Sequence, residues 1–377
     1  MRPRRILPLL VAAQFAGTAL WFAGNAVLPD LQREWGLDGS ATAWTTSAVQ
    51  LGFIIGTLVA ALTGLLDRVS RRRLFFVGSV AGGLVNLIPL AQPGLPTLLV
   101  CRALTGVCLA GIYPVGMALA ASWYQDGLGR ALGWLVGALV LGTAAPHGVR
   151  HLGSALPWST VWVVTSVLAV AGGFAVLLGV PDGPHRRPRS KGRVDLRALF
   201  AAPKFRAAAF GYFGHMWELY AMWTFVPALL ATRTDAVAGW SFLVIAAGAV
   251  GCVVGGVLSR RHGSVRVARF SLVVSGSLAL LAPLVIELPW PICIGLLLLW
   301  GLTVVADSPQ LSTLTAQTAP PALVGTGLAI VTALGFALTI VSIQLLAALE
   351  PLGLASVMPI LAAGPIIGIW VLRRRGQ

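Results

Sequence analysis

Thr63-Gly64-Leu65-Leu66-Asp67-Arg68-Val69-Ser70-Arg71-Arg72-Arg73-Leu74 packs one Asp and four Arg into seven consecutive residues, with long apolar runs at 47–66 and 74–90 on either side. Each such charge costs about 2.5–3.5 kcal/mol at the centre of a membrane helix. The stretch therefore reads as a tight polar turn between two membrane-spanning helices. Its four Arg place that turn on the cytoplasmic side, because loops facing the cytoplasm carry an excess of Lys and Arg.

The rest of the chain agrees with a membrane protein. Of its 377 residues 57% are hydrophobic and only 10% are charged, whereas soluble domains average about 25% charged. No soluble core hides that much apolar sequence. A net charge of +15 in a soluble chain would suggest nucleic acid. Here the basic residues fall between apolar runs, so membrane orientation accounts for them and no nucleic-acid partner is expected. Cys101, Cys108, Cys252 and Cys293 all lie inside apolar runs. They read as small packing residues, not as a disulfide framework or a metal site. Arg2 to Arg5 could open a signal peptide, but the apolar run after them holds Gln14, Trp21 and Asn25 without a clean cleavage site. A retained first helix is expected.

A helix needs about 20 apolar residues to cross a bilayer. That rule places twelve spans at 7–28, 47–66, 74–90, 96–121, 131–148, 160–180, 207–231, 240–258, 269–286, 291–314, 325–349 and 355–372. Of the 27 Lys and Arg, 23 then fall on one side, three (Arg33, Arg150, Arg233) on the other, and Arg102 inside the fourth span. Such a bias puts both termini in the cytoplasm of a multi-pass protein of the cell membrane. The longest polar stretch, 181–206, divides the spans six and six, giving an N-terminal bundle (1–180), a basic cytoplasmic linker and a C-terminal bundle (207–377). Within the linker, Leu196, Leu199 and Phe200 fall on one side of a possible amphipathic helix over 194–200. The halves also echo each other. Leu28-Pro29 returns as Val226-Pro227 and Leu104-Thr105 as Leu302-Thr303, each 198 residues later; Trp44 and Trp240, and Gly129 and Gly325, are 196 apart.

The 63–74 stretch resembles the signature loop of the major facilitator superfamily, G-x-L-a-D-R-x-G-R-R, between that family's second and third helices. Leu65, Asp67, Arg68, Arg71 and Arg72 match; Thr63 stands at the first Gly with Gly64 one place late, and Ser70 replaces the second. Twelve spans, the central loop and the repeat extend the resemblance over essentially the whole chain. It implies an all-α fold of two six-helix pseudo-symmetric bundles that rock about a central site. Asp67, Arg68, Arg71 and Arg72 would form a cytoplasmic gate, latching the bundle ends in one state. Arg102-Ala103-Leu104-Thr105-Gly106 resembles the family's fourth-helix R-x-x-x-G motif, whose Arg faces the central cavity.

Ionisable groups inside a bilayer are functional candidates because they are expensive to keep there. Arg102 lies roughly 10 Å into its span by helical rise; the bland alternative is an Arg that snorkels to the interface. The seventh span holds the densest polar cluster, with His215, Glu218, Tyr220 and Trp223. Glu218 lies about 17 Å along the span, near the midplane, where a carboxyl group could load and release a proton. His215, three residues away on the same face, would tune it, and Tyr220 and Trp223 could stack on a substrate. A structural His–Glu pair is the competing reading. Asp307 in the tenth span could pair with Arg102 or a cation, or tie helices together near Pro309. Asn25 and Tyr113, with Gln14, Trp21 and Gln50, could line a cavity or merely pack.

Drug-antiporter, nitrate-porter and sugar-porter motifs are absent, as are a phosphate-cradling loop, metal-ligand spacing and a nucleophile elbow. Enzyme chemistry and ATP-driven transport find no support. The expectation is a monomeric secondary transporter for a small organic solute, surrounded by lipid, with the proton gradient as driving force and no cofactor. An anion or organic-acid porter is the first alternative, since Arg102, His147 and His215 outnumber the embedded carboxylates. A facilitator-like membrane sensor without transport is the second.

Overall fold

In the computed structural model, residues 5–124, 128–185, 196–320 and 323–373 are described, with the backbone alone at Leu66, Asp67, Leu196, Arg197 and Ala198. The protein is all-α, and no strand occurs among the described residues. In chain order the helices are α1 (Ile6–Thr18), α2 (Ala23–Trp35), α3 (Ala41–Thr63), α4 (Leu65–Arg68), α5 (Arg71–Ala91), α6 (Leu95–Ala110), α7 (Tyr113–Trp123), α8 (Leu128–Leu152) and α9 (Ser159–Gly179). Then follow α10 (Leu196–Ala201), α11 (Pro203–Ala231), α12 (Val237–His262), α13 (Ser264–Leu280), α14 (Ala282–Glu287), α15 (Trp290–Thr303), α16 (Ser308–Thr318), α17 (Val324–Leu349), α18 (Leu354–Val357) and α19 (Ala363–Arg373).

Ten helical segments among the described residues are long and apolar enough to cross a membrane. They correspond to ten of the twelve expected spans. The other two are α11 and the α13–α14 pair. α11 has length to spare at 29 residues, but His215, Glu218 and their neighbours dilute its apolar character. α13 stops after 17 residues, just before Pro283 in the first turn of α14.

Besides the ninth span, split between α13 and α14, three others are broken near their middle. The first is interrupted at Ala19–Phe22, between α1 and α2; the fourth at Gly111–Ile112, between α6 and α7; the tenth at Val304–Asp307, between α15 and α16. Two breaks have a local cause. Pro114 and Pro309 sit in the first turns of α7 and α16, and proline has no amide hydrogen to continue the ladder. The break in the first span contains no proline, and its cause lies on a neighbouring helix, as shown below.

The chain forms two compact units, Met1–Arg187 with Ala236–Leu243, and Pro188–Asp235 with Val244–Gln377. In the first, α3 and α6 touch backbone to backbone: a Cβ at Gly52 would overlap the Ala103 carbonyl oxygen, and one at Gly106 the Val49 carbonyl oxygen. The second repeats this contact between α12 and α15, where Gly251 meets the Leu302 carbonyl and Gly301 the Val244 carbonyl. Small residues permit such close approach, which supplies the van der Waals contact that holds helices together in lipid. Of the expected linker, residues 186–195 lie outside the described residues. The described part of the segment expected over 194–200 falls in α10, where Leu199 is buried and Phe200 meets Phe205 of α11 edge-on at 5.4 Å.

Candidate functional site

In the second unit, α11 carries two polar contacts one turn apart. Glu218, 1% exposed, accepts hydrogen bonds at both carboxyl oxygens. Trp300 Nε1 of α15 donates to Oε1 at 2.7 Å, and Ser275 Oγ of α13 donates to Oε2 at 2.9 Å. Glu218 thus joins three helices at one point. One turn earlier, His215 Nδ1 approaches Asp307 Oδ1 to 2.8 Å. Both side chains are buried, and the approach lacks the alignment of a hydrogen bond. It is a close approach of two buried ionisable side chains. The geometric partner of His215 is therefore Asp307 on the broken tenth span, while Glu218 has partners of its own.

Tyr220 and Trp223 are buried in the same helix. Their rings meet at 5.3 Å and 72°, and Tyr220 also packs on Phe336 of α17 at 5.1 Å. They form a packed aromatic cluster rather than an open stacking platform. Gln310, one turn beyond Asp307, is buried with its amide nitrogen unpaired.

In the first unit, Arg102 of α6 is buried, not snorkelling. Its Nη1 donates to the Leu20 carbonyl at 3.0 Å and its Nη2 to the Trp21 carbonyl. Both carbonyls belong to the break between α1 and α2. This is the missing cause of that break: the guanidinium replaces amide donors that an unbroken ladder would have provided, and a buried carbonyl left unpaired is costly. Asn86 Oδ1 stands 3.5 Å from Nη1, and the Asn86 amide nitrogen donates in turn to Trp162 O, Thr165 Oγ1 and Ser166 Oγ. Asn25, the third residue of α2, donates to Thr46 Oγ1 at 2.7 Å. Tyr113 opens α7 and faces Phe53 at 6.5 Å, and Phe53 packs on Trp21 at 4.9 Å. Arg102, Asn25 and Tyr113 are thus gathered around the two helix breaks of this unit. His147 is buried with its ring 6.5 Å from that of Phe22.

The charged stretch 63–74 is built as a turn. Gly64 ends α3 in the left-handed region at φ 64°, a conformation that favours glycine, which explains why glycine stands at 64. Asp67 lies in the four-residue α4, and its side chain is outside the description. Arg68 is exposed. Arg71 Nη1 donates to the Ala118 carbonyl of α7 at 3.0 Å, and the Arg72 backbone amide faces Asp182 Oδ1 at 3.4 Å.

Trp300, Ser275 and Asn86 were not singled out by sequence. A signal for Trp300 exists. The 198-residue offset that maps Leu104-Thr105 onto Leu302-Thr303 also maps Arg102 onto Trp300 and Leu20 onto Glu218. By that offset Arg102–Leu20 and Trp300–Glu218 join corresponding positions, through a backbone carbonyl in one unit and a side-chain carboxylate in the other. Among the described residues no group of three His, Cys, Asp or Glu is placed to hold a metal ion, and the four cysteines are free.

Comparison with known proteins adds to this geometry. The family model for the Major Facilitator Superfamily matches residues 9–343. The puromycin resistance protein pur8 of Streptomyces alboniger is 34% identical over 147 residues, covering 38% of this chain and 29% of that protein. The 3-(3-hydroxy-phenyl)propionate transporter of Escherichia coli K12 is 28% identical over 228 residues, covering 59% of this chain and 56% of its own length. The matches thus span about half or less of these relatives. The crystal structure of the human organic anion transporter MFSD10 (TETRAN) superposes with a TM-score of 0.77 at 14% identity, over 99% of this chain and 100% of that one.

Proposed function

The chain belongs to the Major Facilitator Superfamily, and on that footing we propose that it is a secondary active transporter, carrying a small organic solute by alternating access and coupled to protons through Glu218. Membrane transport follows the family and the relatives named above. Proton coupling rests on one observation, the way Glu218 is held. Tryptophan N–H is a donor only, so Trp300 keeps Oε1 as an acceptor whether or not the carboxyl group is ionised. A serine hydroxyl both donates and accepts. Ser275 donates to an ionised Oε2 and accepts from a protonated one. The site can therefore gain or lose a proton without orphaning a buried polar atom, an event that would cost about 1–3 kcal/mol. With a proton on board, Glu218 crosses the closed state without carrying a bare charge through a medium of low dielectric.

Glu218→Gln tests this. The amide oxygen can accept from Trp300 and the amide nitrogen donate to Ser275, so the variant mimics the protonated state permanently. In proteoliposomes it is expected to abolish accumulation driven by a pH gradient while sparing equilibrating exchange. His215→Ala is expected to move the pH optimum and leave coupling in place. Accumulation by Glu218→Gln against a solute gradient would refute Glu218 as the carrier. Should that variant fail to fold, Ser275→Ala decides the matter, since it removes the group that follows the proton and should weaken coupling more than exchange.

A second reading concerns the solute. The Escherichia coli relative is named for an aromatic carboxylate, which supports an organic acid as substrate. In this structure Arg102 already serves the Leu20 and Trp21 carbonyls through both Nη atoms. An organic acid would accordingly be selected by other groups, with Arg102 holding the frame.

A further inference from the structure

The turn between α12 and α13 carries Arg260, Arg261, His262, Arg266 and Arg269 within ten residues, and the sequence has no acidic residue from 236 to 286. Among the described residues none of these four arginines is paired with a carboxylate. A cleft of about 530 Å³ opens at this turn, lined by Ser259, His262, Ser264, Arg266, Arg269 and Gln317. The cleft therefore presents cations and hydroxyl groups with nothing negative among them.

The corresponding stretch of the first half is different. The 198-residue offset sets Arg269 against Arg71 and Val265 against Asp67. Arg71 is committed to the Ala118 carbonyl, and an aspartate stands four residues before it. The second copy keeps its arginines and lacks the acid. An uncompensated cationic cleft attracts an anion from outside the chain.

The surroundings decide which anion. Next to the basic residues the helices turn apolar and outward. Val257 and Leu258 of α12 and Val273 of α13 are exposed, and Phe270, adjacent to Arg269, is 68% exposed. In a membrane protein such a face lies against acyl chains. The positively charged cleft and the acyl-facing surface are continuous, a combination that suits one molecule with a charged head and apolar tails. Basic groups at the cytoplasmic surface of a bilayer attract anionic lipids. We infer that the α12–α13 turn binds the phosphate of an anionic phospholipid head group between Arg266 and Arg269, with the acyl chains along Phe270 and Leu258. The inference does not depend on which solute is carried.

The test uses the full chain in detergent, with native mass spectrometry after exposure to equal amounts of phosphatidylglycerol and phosphatidylcholine. The unaltered protein is expected to retain phosphatidylglycerol selectively. Arg266→Ala with Arg269→Ala should weaken that retention roughly 30-fold, about five-fold for each cation removed. Arg130→Ala, which removes an exposed cation elsewhere, should leave it unchanged. Ser264→Asp places a carboxylate in the cleft and should act like the double variant, which decides the question if the double variant does not fold. Inorganic phosphate at millimolar concentration is expected not to displace the lipid. Unchanged retention in the Arg266/Arg269 or Ser264 variants, equal loss in Arg130→Ala, or displacement by inorganic phosphate alone would overturn the proposal, the last in favour of a soluble anion.

Discussion

Arg102 shows how a single side chain can shape a helix it does not belong to. Its planar fork reaches two adjacent carbonyls of the first span at once, a geometry that lysine, a point charge on a flexible stem, cannot copy. Arg102→Lys keeps the charge and should still cost about 1–3 kcal/mol, the penalty for one buried carbonyl left unpaired. The expected readout is a lowered unfolding midpoint in detergent. A midpoint equal to that of the unaltered chain would show that the break holds without the guanidinium. The sequence marked Arg102 as unusual because a charge inside an apolar run is visible locally. It did not reveal what the charge serves, since backbone carbonyls leave no trace in the residue types of 20 and 21.

The helices show the same division between local and non-local information. Twelve apolar runs and the Asp67 turn were legible because hydropathy and charge alternate along the chain itself. The breaks after α6 and α15 had visible causes in Pro114 and Pro309. Glu218 was legible as a buried acid, but its partners Ser275 and Trp300 come from other helices, and His215 turned out to face Asp307. Close packing is the other non-local property. Gly52 and Gly106 in one unit and Gly251 and Gly301 in the other bring helix backbones into direct contact. Gly106→Val would force α3 and α6 apart, at a cost of about 1–3 kcal/mol or more for overpacking, and Gly301→Val should do the same to α12 and α15. Gly295→Val, where an added Cβ meets nothing, is the control. Thermal unfolding in detergent should separate the two interface variants from it; equal midpoints for all three would mean that these helix pairs tolerate separation.

At the scale of the whole molecule, the charge bias predicts an orientation. Three arginines were assigned to the sparsely charged face, and each has a structural engagement. Arg150 grips Asp30 through two hydrogen bonds of 3.0 Å, Arg33 meets the same carboxylate at 2.6 Å, and Arg233 donates to the Leu288 carbonyl at 3.0 Å. All three brace loops and helix ends. The remaining bias predicts that residues 181–206 face the cytoplasm. A single cysteine in that stretch, in a chain with the four native cysteines replaced, should resist an impermeant thiol reagent in intact cells and react after permeabilisation. Ready labelling of intact cells would invert the map.

The matched contacts Arg102–Leu20 and Trp300–Glu218 carry a further consequence. A chain built from two copies of one unit begins with every contact present twice, and each copy can then drift. In the first copy the link runs from a permanently charged guanidinium to a peptide oxygen, and no proton concentration in a living cell alters either partner. In the second it runs from an indole to a carboxyl group, which exists in two chemical forms. One copy has become an inert frame, and the other has kept a variable. With Glu218 as the proposed proton carrier, loss of the variable copy would leave a transporter blind to acidity, whereas loss of the inert one would leave it without a fixed frame.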